Sequence, residues 1–265
     1  MNELDFIIYT DGSANSGEHS GSACIVKEVN SSREFNIVAS FGTGTNNQSE
    51  IFATFLGYAL INNLRPGYET TVQLCSDSTY VLNSSTIHVK QWLDSGKIND
   101  SSILKNAHFW RVFLELTKNM TIIPKHTPGH SGIEDNEKCD NAAGWARKNR
   151  TGEEIDPQIL EITKTNRRKV VFQDNWYLQD FTKLIQFIQE ESKTPKDVAF
   201  SLSLSMNLYF ALLDSAKVVT EAKRASVETT RHLLQAKQVM KKFNLSSKET
   251  DEYLKKLLDI LEQIG

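Results

Sequence analysis

Four carboxylates, Asp11, Glu50, Asp77 and Asp140, stand where local pattern predicts the ends of strands or the first turns of helices. Each keeps polar, small-residue company: Thr10-Asp11-Gly12-Ser13, Asn46-Asn47-Gln48-Ser49-Glu50, Cys75-Ser76-Asp77-Ser78 and Lys138-Cys139-Asp140-Asn141. Brought together they would repel. Like charges a few Å apart shift one another's protonation or need cations between them, and hard divalent ions such as Mg²⁺ take oxygen ligands of this kind. The pattern predicts a metal site.

Singly, these residues have bland readings. Asp11-Gly12 and Asp77-Ser78 are ordinary turn chemistry, and Glu50 alone suits a helix N-terminus. The argument lies in the set. A zinc site built from His126, His130 and Cys139 would use an admissible helical His spacing, but Pro128 and Gly129 stand between the histidines and argue against that helix. Gly42-Thr43-Gly44 lacks the full pattern of a phosphate loop and reads as a turn.

The elements that must position the carboxylates alternate between strand and helix over the first 150 residues. Phe6-Ile7-Ile8-Tyr9 suits a buried strand with Asp11 emerging at its end. Ser22-Ala23-Cys24-Ile25-Val26 and Phe35-Asn36-Ile37-Val38-Ala39, separated by Asn30-Ser31-Ser32, continue it as an antiparallel meander. Between Ser49 and Leu64, Ile51, Phe52, Phe55, Leu56, Ala59 and Leu60 recur at helical spacing until Arg65-Pro66-Gly67 stops them. Glu50 falls in that helix's first turn. Val72-Gln73-Leu74-Cys75 predicts a fourth strand with Asp77 at its C-terminal end, where open α/β sheets place ligand-binding groups. Helices around Tyr80-Leu82 and Trp110-Leu116 follow, then a fifth strand at Thr121-Ile122-Ile123. A closing helix over residues 136–148 carries Asp140 on its early turns.

Beyond about Arg150 the texture changes. Gly152, Asp156 and Pro157 mark a loop, and the later segments are helix formers. Leu178, Phe181, Leu184, Ile185 and Ile188 repeat at helical spacing, as do Leu202, Met206, Tyr209, Phe210 and Leu213. Between Ser247 and Ile264, Tyr253, Leu254, Leu257, Leu258 and Leu261 share one face. With 265 residues, two domains are expected: an α/β domain over 1–150 and an all-α accessory domain over 151–265.

Composition narrows the class without naming a function. At 39% hydrophobic and 24% charged residues the chain can bury a core in each half. No apolar run approaches the ~20 residues of a membrane span, and no secretory signal is found, so no membrane partner and a cytoplasmic setting are expected. Three widely spaced cysteines fit reduced thiols better than a disulfide framework. A net charge of −3 argues against a strongly basic nucleic-acid coat, although a local patch can still steer phosphates.

The motifs Tyr9-Thr10-Asp11-Gly12-Ser13, Thr45-Asn46-Asn47-Gln48-Ser49-Glu50, Ser76-Asp77-Ser78, Pro128-Gly129-His130-Ser131-Gly132 and Asn136-Glu137-Lys138-Cys139-Asp140 occur in this order. In this the chain strongly resembles type 1 ribonuclease H, over roughly residues 4 to 150. The resemblance implies an RNase H-like fold, a five-stranded mixed sheet flanked by helices, here followed by the all-α segment. It implies endonucleolytic cleavage of the RNA strand of an RNA–DNA hybrid, leaving 5′-phosphate and 3′-hydroxyl ends. Asp11, Glu50, Asp77 and Asp140 match the metal-binding carboxylates, for two Mg²⁺ ions with Mn²⁺ as a substitute. His130 matches the histidine that assists proton transfer or product release.

Hybrid recognition must read 2′-hydroxyls on one strand. By the same resemblance Asn46, Asn47 and Gln48 are candidates for minor-groove hydrogen bonds. Thr45 with Asn106 resembles the pair that holds a DNA phosphate, and Trp92 an aromatic at the DNA channel. Departures stand beside these matches. Where a basic protrusion is expected, between Lys90 and Lys105, Asp94 and Asp100 accompany only Lys90, Lys97 and Lys105, and Thr43 stands where a basic companion of the phosphate pocket is expected. The C-terminal helices are therefore expected to bind nucleic acid, a protein partner or a second copy of the chain. Asn166-Arg167-Arg168-Lys169 is either a phosphate contact or a solvated linker face. The alternative function is a non-cleaving nucleic-acid-binding or assembly protein on the same scaffold. A structure-specific DNA nuclease or strand-transfer enzyme is a third, disfavoured by the Thr-Asn-Asn segment.

Overall fold

Phe6 and Ile8 are fully buried while Ile7 and Tyr9 are half-buried, the two-residue period of a strand, and they open β1 (Phe6–Ala14). The computed structural model describes residues 3–15, 19–149, 158–161, 175–190, 194–199 and 202. β1 pairs antiparallel with β2 (His19–Glu28), which pairs antiparallel with β3 (Glu34–Thr43), giving the expected meander. On its other side β1 runs parallel to β4 (Thr70–Ser76), and β4 parallel to β5 (Met120–His126). Register then fixes the chemistry: Tyr9 lies opposite Cys75, so Asp11 and Asp77, each two residues further on, come side by side, Asp77 just past β4 but Asp11 still within β1, which runs on to Ala14 beyond the end that its apolar residues mark.

Helix α1 (Asn46–Leu64) begins three residues earlier than the apolar spacing predicts, because Thr45 and Gln48 form a reciprocal capping box. Glu50 consequently occupies its second turn rather than its first. A β-carbon at Gly57 would come within 2.8 Å of Ile8 Cγ2 and 2.9 Å of Cys24 Sγ, so glycine here lets α1 press onto the sheet. Its outer side packs on α4 (Ala107–Thr117) through Phe55 on Phe109 and Tyr58 on Phe113, with ring centroids 6.1 and 5.8 Å apart. The opposite face of the sheet receives α5 (Glu134–Asn149), whose Cys139, Ala142, Ala143 and Ala146 pack on Ala23, Ile25 and Val38. Between β4 and α4 run α2 (Thr79–Asn83), a π turn (Ser84–His88), α3 (Val89–Asp94) and a 3-10 turn (Lys97–Asn99).

Beyond residue 150 the structure departs from an all-helical reading. β6 (Gln158–Glu161) and β7 (Asn175–Asp180) extend the sheet to seven strands, in the order β5-β4-β1-β2-β3-β7-β6. β7 runs parallel to β3 and satisfies main-chain groups that would otherwise form an open edge. Leu178, assigned to a helical stripe by spacing, is part of this strand. The rest of that stripe holds: α6 (Thr182–Gln189) buries Ile185 and Ile188. The Phe181 ring at its start packs 5.2 Å from Phe52 of α1, and its amide donates to Ser40 O at 2.9 Å.

The chain divides into two compact units, Met1–Phe200 and Ser201–Gly265, so the first runs well past the change of texture at 150. The basic cluster 166–169, the stripe from Met206 to Leu213 and the amphipathic tail between Ser247 and Ile264 lie outside the described residues. Among the described residues no helix is long and apolar enough to cross a membrane.

Candidate active site

Two close approaches bring the first pair of carboxylates together. A β-carbon at Gly12 would come within 2.3 Å of Glu50 N and 2.5 Å of Ser49 C, so only glycine lets β1 lie against the start of α1. Ser22 of β2 then ties α1 down, its hydroxyl donating to Ser49 O at 2.7 Å. Asp11 is 8% exposed at this junction. Asp77 follows the last residue of β4, and Ser78 caps α2 by accepting from Val81 N at 3.3 Å. The Ser78 hydroxyl also donates to Glu50 Oε2, while Asn46 Nδ2 donates to Glu50 Oε1 at 2.7 Å. Both oxygens of Glu50 are thereby held. Asp140 enters from α5, and all four carboxylates line one cleft of about 200 Å³ with Asn46, His130 and Glu137.

The electrostatics are those of crowded like charges. Burial, then the neighbouring carboxylates of Asp77 and Asp140, push Asp11 up to about 8, against the pull of the Gly12 N–H that donates to Oδ1 at 2.6 Å. Glu50 is also raised, by burial first, with Asp77 adding to it and the Ser78 and Asn46 bonds opposing it. Among the described residues no lysine or arginine lines the cleft to neutralise them.

An all-oxygen donor set with unrelieved negative charge fits hard divalent cations. Among the described residues no three His, Cys, Asp or Glu side chains gather tightly enough to enclose one ion. Mg²⁺ keeps several waters and is held by one or two carboxylates together with substrate phosphates. The zinc reading does not survive: Cys139 is fully buried in the core under α5, its thiol donating to Tyr9 O at 3.4 Å.

His130 sits on the loop after β5, in a left-handed conformation with φ 56°. Its Nδ1 lies 3.9 Å from Asp140 Oδ2, and its side chain is 85% exposed. The loop is anchored at its base by Thr127, buried, whose hydroxyl donates to the buried Asn136 Oδ1 at 2.9 Å. A β-carbon at Gly129 would meet Asp77 Oδ2 at 2.9 Å, so the loop backbone lies directly over that carboxylate.

A family model described as RNase H matches residues 3–148 of the chain. The chain belongs to the RNase H family. Ribonuclease H of Campylobacter concisus is 28% identical over 138 residues, covering 51% of this chain and 88% of its own length. Ribonuclease H of Vibrio vulnificus is 30% identical over 158 residues, covering 58% and 96%. A solved type 1 RNase H, described as carrying the type 2 active-site motif, aligns with a TM-score of 0.49 at 20% identity, over 56% of this chain and 74% of its own. The five strands of the α/β, RNase H-like sheet expected from the motifs are present as β1 to β5, with β6 and β7 added beside β3.

Within this RNase H frame the remaining predicted residues are less uniform. Thr45 and Gln48 are engaged with each other as the cap of α1, Gln48 Oε1 accepting from Thr45 N at 2.9 Å. The Asn46 amide accepts from Ala14 N at 3.3 Å while its nitrogen holds Glu50, so this residue positions a carboxylate as well as facing the cleft. Asn47 is exposed beside it. Asn106, with φ 62°, starts α4 and donates to Tyr80 OH at 3.4 Å, an oxygen it shares with Trp110 Nε1 at 3.2 Å. Trp92 is half-buried between Trp110 and His88, with ring centroids 5.8 and 5.6 Å away.

Three contributors were not singled out from the sequence. Ser78 could have been found as a serine between a strand and a helix, the N-cap signal. Glu137 lines the cleft, and its Oε1 accepts from Gly132 N at 3.0 Å. Asn136 carried no local signal, since its partner Thr127 lies on a different element.

Proposed function

We propose that this ribonuclease H hydrolyses the RNA strand of RNA–DNA hybrids endonucleolytically, leaving 5′-phosphate and 3′-hydroxyl ends, with two Mg²⁺ ions that Mn²⁺ can replace. The observation that carries this is the cleft shared by Asp11, Glu50, Asp77 and Asp140, with no lysine or arginine among the described residues that line it. Asp11, Glu50, Asp77 and Asp140 would hold the ions. When bound, such a pair supplies an activated water and stabilises the departing 3′ oxygen of an in-line displacement.

The chain's own side chains divide the rest of the work. Ser78 and Asn46 fix the Glu50 carboxylate, and Gly12 fixes its distance from Asp11. His130, at the exposed mouth beside Asp140, is placed to carry a proton on a ring nitrogen or to help the product leave. Asn46, Asn47 and Gln48, at the N-terminal end of α1, face the minor groove of the hybrid; Thr45 with Asn106 and Trp92 serve its DNA strand. A reducing, cytoplasmic setting belongs to the same proposal and accords with Cys24, Cys75 and Cys139 all being free and buried. Residues beyond 200 add contacts to nucleic acid, to a protein or to a second copy.

The test is hybrid binding and cleavage compared at matched salt for the full chain and for Asp77→Asn. Wild type cuts, and the variant binds without cutting. Wild-type protein that binds hybrid and never cuts it with either cation would favour the scaffold reading.

A further inference from the structure

Glu137 is a fifth carboxylate on the cleft wall, one helical turn before Asp140 on α5. Its Oε1 accepts the Gly132 N–H at 3.0 Å, reaching back to a residue two positions before α5 begins. That residue is also two positions after His130. Both backbones are in the left-handed region, His130 at φ 56° and Gly132 at φ 83°; glycine adopts it freely, but at His130 the loop is held in a conformation uncommon for a residue with a side chain. Its two ends are pinned differently. The entry side is fixed by Thr127 on Asn136, a buried pair. The exit side is fixed at Gly132 by Glu137, beside the Glu137 N–H that donates to Ile133 O at 3.0 Å, and within the loop the Ser131 hydroxyl donates to Pro128 O at 2.6 Å. His130 is suspended between these pins, facing Asp140 across 3.9 Å.

We propose that Glu137 is a positioning residue that clamps the His130 loop over the cleft, through its hydrogen bond to Gly132, and so sets how often the His130 ring meets the reacting phosphate. This rests on the hybrid-cleaving role proposed for the site. Two other duties are open to an acidic side chain here, and each leaves a different signature. As a mere helix-terminus stabiliser it would act on folding alone. As a ligand it would need its charge, because a neutral amide is a poor replacement for a carboxylate on a hard cation. As a clamp it needs only an acceptor oxygen, which glutamine also carries.

The experiment is a double-mutant cycle in the full chain, reading kcat and KM for a labelled hybrid with Mg²⁺, with thermal denaturation of every variant. E137A lowers kcat by about tenfold, a fraction of what positioned proton transfer contributes, with little change in KM. E137Q keeps near wild-type kcat. In the H130A background E137A has no further effect, because the clamp acts through the histidine. Should E137A not fold, E137D, one methylene shorter, carries the same test with a partial loss of kcat. Equal losses in E137Q and E137A, or an E137A loss that persists in the H130A background, overturn the proposal. So does an E137A variant that melts lower yet turns over at the wild-type rate. If the wild-type chain itself leaves hybrid uncut, the hybrid-cleaving reading falls first and the clamp with it.

Discussion

Gly12 and Glu50 touch through their backbones: a β-carbon on the former would sit 2.3 Å from the amide nitrogen of the latter. The Asp11–Glu50 arm of the site therefore depends on the absence of a side chain one position after Asp11. Gly12→Ala must push β1 and α1 apart, at about 1–3 kcal/mol for inserting a methyl group into a packed contact. A melting temperature lower by about 5 °C is expected. Cleavage should fall further than stability, by at least about tenfold, since catalytic geometry tolerates less displacement than folding does. Parallel melting and kinetic measurements on this variant check both.

Asp11 makes stability depend on pH in an unusual direction. The folded carboxyl holds its proton up to about 8, whereas its ordinary value is 3.8. Between these values the folded state binds more protons than the unfolded one, so the cation-free protein loses stability as pH rises and levels off above the upper value. Magnesium must displace that proton, so the stabilisation it confers grows across the same window. Melting curves at a series of pH values, with and without magnesium, should show both trends, and Asp11→Asn should flatten them.

Ser78 serves two elements with one hydroxyl, capping α2 and holding Glu50. Ser78→Ala should cost about 1 kcal/mol through the lost cap. It should also raise the magnesium concentration needed for half-maximal cleavage, because Glu50 is freed on one oxygen. Ser78→Thr, which keeps the hydroxyl, should restore both; a magnesium titration of the three proteins decides it.

Phe181 belongs to the catalytic unit although it lies past residue 150. It is 4% exposed, and its ring packs on Phe52, two residues after Glu50. Phe181→Ala should destabilise the Met1–Phe200 unit by about 3 kcal/mol, as for other buried aromatic truncations. Chemical denaturation measures it.

The carboxylates were legible in the sequence because each stands beside a short apolar strand run or near the start of a helix, although Asp11 lies within β1 and Glu50 and Asp140 lie past the first turns of α1 and α5. The beginning of α1 was misplaced by three residues because Asn46 and Asn47 are not apolar, and the capping pair Thr45 and Gln48 outweighs spacing. β7 was hidden for a different reason. Trp176, Tyr177 and Leu178 are strand formers, but Leu178 also matches the helical period of Phe181, Ile185 and Ile188, and only the open edge of β3 decides between the two. Glu137 and Asn136 escaped because their partners, Gly132 and Thr127, are joined to them by a loop whose path no local signal fixes.

The most direct measurement offers the full chain labelled RNA–DNA hybrid, double-stranded RNA, single-stranded RNA and DNA duplex, with magnesium, beside Asp77→Asn. The account predicts cuts in the RNA strand of the hybrid alone, ending in 5′-phosphate and 3′-hydroxyl groups, and none by the variant. Robust cutting of another substrate, or undiminished cutting by the variant, would contradict it.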